Sequence, residues 1–146
     1  MSFEIWISIG IILLLLIYLM SIYNRMIRLK NRVDNSWSQI DVQLQRRYEL
    51  IPNLIETVKK SMSHEQETLQ MVVETRNAAQ KAFHEVLNSP SNSAAMAELS
   101  LQEEKLQGAI DNFRIVAEAY PDLKSNTNLL SMQEELASTE NKVGFA

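Results

Sequence analysis

Few side chains in this 146-residue sequence are placed to do chemistry. His64 and His84 are the only histidines, and they are too far apart to form the i, i+4 pair that grips a metal on one helix face. Adjacent residues of Glu103-Glu104 and of Glu134-Glu135 point about 100° apart around a helix, so neither pair converges on one site and both read as solvated faces. Cysteine is absent, which removes disulfides, thiolate ligands, a Cys nucleophile and a lipid-modified Cys. None of the patterns G-x-G-x-x-G, G-x-x-x-x-G-K-[ST], H-E-x-x-H or G-x-S-x-G occurs. The seven Met read as core filler and bilayer residues. No catalytic residue, cofactor or metal is expected, and the chain reads as non-enzymatic.

One polar and aromatic stretch stands apart, between Arg32 and Lys59. Asp34, Trp37 and Asp41 are spaced i, i+3, i+7, so they share a helix face with part of an apolar stripe. Two roles fit a Trp and two acids beside such a seam. The acids lie at its edge and pair with Arg32 or Arg47, or they set subunit register in an oligomer. With Arg46, Arg47, Tyr48, Pro52 and Asn53 they form the candidate packing or oligomerisation motif.

The elements that position this motif begin in a membrane. Ile5 through Asn24 is a run of 20 residues without a charge. As a helix it spans about 30 Å, the thickness of the hydrocarbon core. Leu14 lies mid-span, Trp6 near one end, and Tyr18 and Tyr23 toward the other, where aromatic belts form. A cleaved signal peptide would need a basic start and a small-residue cleavage site. Residues 1–4 carry only Glu4 and no A-x-A follows, so an uncleaved anchor is expected. Arg25, Arg28, Lys30 and Arg32 come directly after the span, and the positive-inside bias then puts the N-terminus outside and the rest in the cytoplasm.

Past the span, apolar residues recur at Ile22, Met26, Leu29, Val33, Trp37, Ile40, Leu44, Tyr48, Ile51 and Ile55, a helical stripe of nearly heptad period. The reading is all-α: residues 1–24 as a short N-terminus and transmembrane helix, then 25–146 as an antiparallel bundle of about four helices. These fall near 25–62, 64–88, 93–120 and 126–144. Pro52 should kink the first near Tyr48. Ser63 with Gln66 reads as a capping box for the second, and 88–93 with Pro90 is the clearest loop. Expected core faces are Leu69, Val72, Val73, Ala79, Phe83 and Val86; then Met96, Leu99, Leu106, Ile110, Phe113, Ala117 and Tyr120; then Leu129, Met132, Leu136 and Val143. The last helix is short and uncapped, which leads to the expectation that part of the core is completed by sequence beyond Ala146 or by another subunit.

The charge is divided. Residues 25–60 hold eight basic and four acidic side chains, whereas 61–146 hold six basic and thirteen acidic. The basic part adjoins the bilayer and suits anionic headgroups. An acidic bulk without a basic patch argues against nucleic acid.

The segments Arg28-Leu-Lys-Asn-Arg32, Trp37-Ser-Gln-Ile-Asp-Val-Gln-Leu44, Arg46-Arg-Tyr-Glu-Leu-Ile-Pro-Asn-Leu54, Ala117-Glu-Ala-Tyr-Pro-Asp-Leu-Lys124 and the closing Glu134-Glu-Leu with Thr139-Glu-Asn141 closely resemble the LemA family of bacterial membrane proteins. The resemblance implies a helical bundle on an N-terminal anchor in the bacterial inner membrane, with the bundle cytoplasmic and no established catalytic residues. One branch of that family is tied to shaping magnetosome membranes and others to envelope stress. Relatives typically continue well past the position of Asn141. The expected function is a homo-oligomeric membrane scaffold in contact with lipids. The alternative is a membrane-tethered adaptor that recruits a protein partner such as an envelope protease or stress component through its acidic distal bundle.

Overall fold

The computed structural model describes residues 2–145. Among them there is no strand, and five helices follow in order: α1 (Phe3–Val58), α2 (Gln66–Asn88), α3 (Ser93–Ala117), α4 (Pro121–Lys124) and α5 (Thr127–Phe145). The fold is all-α, a long apolar N-terminal helix followed by packed helices. The chain divides into two compact units, one reaching to Asp41 and the other Val42–Phe145.

In the first unit α1 buries nothing of its apolar run. Phe3–Val58 contains an 18-residue window apolar enough to cross a membrane, with no part of that window buried by the protein. Leu14 and Tyr18 are 68% and 66% exposed. In water such a surface would be a severe cost at about 25 cal/mol per Å², whereas against lipid tails it costs nothing.

The second unit has a core of its own. Tyr48, Ile51, Leu54 and Val58 from α1 are buried, as are Val72, Ala79, Phe83 and Val86 from α2, Leu106, Ile110 and Phe113 from α3, Leu123 from α4, and Leu129 and Leu136 from α5. Burying each large side chain contributes about 1.5–3 kcal/mol before chain entropy is charged against it. α2 and α3 pack directly on each other, and only residues 89–92 join them, so they form an antiparallel hairpin.

Several local expectations change. α1 ends at Val58 rather than near residue 62, because residues 59–64 turn and bring Met62, fully buried, into the core. The N-cap of α2 is Glu65, and no side chain caps it, so the Ser63–Gln66 capping box does not form. The α3 cap is conventional: Asn92 accepts from the backbone N–H of Ala94 and Ala95. A fifth helix appears where a plain turn was expected, since Pro121 at the first helical position and Asp122 in the first turn both favour a helix start. Val73 and Met96, expected in the core, are exposed.

Candidate functional site: a polar layer inside the bundle

Pro52 does not end α1, but it has no N–H to offer the carbonyl four residues before it, which is that of Tyr48. Arg76 on α2 fills that role. Its Nε donates to the Tyr48 carbonyl at 2.9 Å, so a guanidinium from the neighbouring helix replaces the intrahelical bond. A buried carbonyl left without a donor would cost about 1–3 kcal/mol.

Around this point α1 sends three consecutive side chains to other helices. Arg46 Nε donates to Glu135 Oε1 of α5 at 2.6 Å. The Arg47 terminal nitrogen donates to Gln107 Oε1 of α3 at 2.5 Å, and its Nε lies 3.7 Å from Glu103 Oε2. The Tyr48 hydroxyl donates to the other Glu103 oxygen. The Tyr48 ring also meets Phe83 of α2, with centroids 6.0 Å apart. Arg47 is 3% exposed, and its buried Nε has no hydrogen-bond partner within bonding distance. Glu103 Oε2 is thus the carboxylate oxygen that faces this buried cation.

These contacts set the local electrostatics. Burial pushes the Tyr48 hydroxyl well above its usual range, and the Glu103 carboxylate adds to the shift. The hydrogen bond to Glu135 holds the Arg46 guanidinium more firmly protonated. A second tie closes another part of the bundle: Tyr120 donates to Glu65 Oε1 at 2.9 Å, which raises the Tyr120 hydroxyl in the same direction. Glu65 thus receives a tyrosine hydroxyl from beyond α3 and does not cap α2.

The sequence motif accordingly separates into three groups. Arg46, Arg47 and Tyr48 hold the chain's own bundle together, and Pro52 creates the need for Arg76, while Pro52 and Asn53 themselves face outward. Arg47 turns to α3. Asp34 is exposed and Trp37 and Asp41 are half-buried, in the other unit. Arg25, Arg28, Lys30 and Arg32 are exposed, as are the span residues Ile5, Trp6 and Tyr23.

The reading of both Glu pairs as solvated is corrected by the structure. Glu104 and Glu134 are exposed, but Glu103 and Glu135 are half-buried and bonded to α1. The sequence contained a signal for the first: Glu103 occupies the gap in the seam Leu99–Leu106–Ile110, and Arg76 occupies the equivalent gap between Val72 and Ala79. A polar residue at a seam position must find a partner inside.

Within this layer the Tyr48 hydroxyl that meets the Glu103 carboxylate is buried and held protonated. Among the described residues no group of three or more His, Asp or Glu could hold a metal ion, and both histidines are exposed. What the arrangement does is fix the mutual register of α1, α2, α3 and α5 through directional bonds.

A model of the LemA family matches residues 36–146, three quarters of the chain, including the whole of this polar layer. A search of curated proteins gives no match.

Proposed function

The chain belongs to the LemA family, and from that premise we propose that it is a non-enzymatic, membrane-anchored scaffold whose copies self-assemble and organise or shape the bilayer. The observation that carries this reading is the first part of α1, whose apolar surface extends past the span. Met26, Leu29 and Val33 are 64%, 51% and 66% exposed, beyond the length a bilayer core needs. An apolar surface continuing into the aqueous side calls for a protein partner. The positive flank Arg25–Arg32 favours a cytoplasmic bundle in a bacterial inner membrane and contact with anionic lipid headgroups. Because Arg47 and Tyr48 are used within the chain, the contact between copies falls to the segment around Asp34, Trp37 and Asp41. The test is reconstitution of the full chain into lipid vesicles, followed by imaging. Discrete clusters with altered vesicle curvature are expected; dispersed single copies in vesicles shaped like protein-free controls would overturn the reading.

A second reading, a tethered adaptor, draws on α3. Glu104, Asp111 and Glu118 are exposed and recur every seven residues, which lines them along one face suited to a basic partner. Reversing these three to Lys should remove a partner captured by the membrane-inserted chain. Glu103 must be left unaltered, since its loss would disturb the bundle.

A further inference from the structure

Between the end of α3, the short α4 and the start of α5 lies a cleft with about 200 Å³ of free space. Its floor is apolar, made by the buried Ala117, Leu123 and Leu129. Its rim holds Arg114, Glu118 and Lys124, together with Leu130, which is 44% exposed although its neighbour Leu129 is buried. A cavity of about 150 Å³ accepts a benzene ring, and pockets for larger ligands start at about 300 Å³. The size therefore suits a single apolar side chain.

The rim charges are not spent within the chain. No ion pair joins Arg114, Glu118 or Lys124 to a side chain among the described residues. The first turn of α5 is already served by Asn126, whose Oδ1 accepts from the N–H of Asn128 and Leu129. An anion in the cleft would thus be held by the two cationic side chains and not by a helix end. Glu118 and Lys124 are exposed, so the cleft opens to water and its occupant can extend outward.

We propose that this cleft takes the C-terminal residue of a partner protein, with an apolar side chain on the floor and the terminal carboxylate on Arg114 and Lys124. Charge complementarity selects this occupant. An apolar floor beside two cations needs an apolar group and a carboxylate on neighbouring atoms, and a chain end carries both on one Cα. An internal Asp or Glu adds its carboxylate to a polar side chain, which leaves the floor unfilled. Glu118 distinguishes a chain end from an acyl anion: the peptide N–H of a last residue can donate to it, whereas an acyl chain offers no donor and meets a like charge. The site stands apart from both readings above, since neither self-assembly nor the acidic row of α3 requires it.

The test applies the full chain, held in lipid discs, to an array of octapeptides of varied sequence tethered by their N-termini. Each peptide is displayed once with a free and once with an amidated C-terminus. Retention is expected on free acids ending in leucine, isoleucine, valine, phenylalanine or methionine. Amidation should weaken it about ten-fold or more, as loss of a charge-assisted bond does. Arg114→Gln should remove most of the difference between acid and amide, while the variant still unfolds cooperatively near the unaltered midpoint. Equal retention of acids and amides, no preference for apolar ends, or an acid preference that survives in Arg114→Gln would overturn the site. Octanoate binding to a chain that retains no peptide would assign the cleft to an acyl anion and overturn the protein partner.

Discussion

Arg76 donates to the Tyr48 carbonyl at 2.9 Å, the one carbonyl that Pro52 deprives of its helical donor. A residue that weakens α1 and a residue that repairs it on α2 therefore act as a unit. Replacing Arg76 by Met should destabilise the bundle by about 1.5–3 kcal/mol, the range for a hydrogen bond from a charged group. In a Pro52→Ala background the same substitution should cost clearly less, because residue 52 then supplies its own N–H. Denaturant unfolding of the four chains of this cycle gives the coupling; additive effects would show that the two residues are independent.

Glu103 should matter more than its surface neighbour. Glu103→Ala leaves Arg47 buried without its anion, an effect of about 3–5 kcal/mol. Glu104→Ala should stay within about 0.5 kcal/mol, as exposed sites do. Arg47→Met removes the cation together with its unbonded Nε and should cost less than Glu103→Ala. Thermal unfolding of the three variants orders them.

At α5, Glu135→Ala breaks the Arg46 pair, which is about half exposed at both ends. The expected loss is about 0.2–1 kcal/mol at low salt, shrinking as ionic strength rises. Glu134→Ala should show neither the loss nor the salt dependence.

Alkaline pH should loosen the bundle. The folded state holds the Tyr48 hydroxyl proton above its ordinary range through burial and Glu103, and Tyr120 shifts the same way through Glu65. A raised folded value means that the contribution is complete below the unfolded tyrosine value, about 10, and declines as pH rises past it. Stability measured from pH 8 upward should be flat at first and fall above about pH 10. Tyr48→Phe should start lower and fall less steeply.

Much of the fold was legible because burial follows period. The gapless run Ile5–Asn24 and the seams of α2 and α3 locate helices without reference to partners. The polar layer was harder to read. Arg46, Arg47 and Tyr48 stood out, but which helices they reach depends on how four elements pack, and sequence spacing holds no such information. Glu103 and Arg76 were hidden by the assumption that charges on amphipathic helices face water, although each fills a gap in an apolar seam. The end of α1 was misplaced because Met62 continues the helical stripe whether it lies on a helix or on the turn that carries it inward.

The central claim is that copies of this chain assemble in the membrane. Light scattering coupled to size-exclusion chromatography of the full chain in mild detergent measures it most directly. The account predicts a discrete protein mass that is a multiple of 16.8 kDa, lowered when Trp37→Ala and Asp41→Ala are combined. A mass of one chain, unchanged by those substitutions, would contradict it.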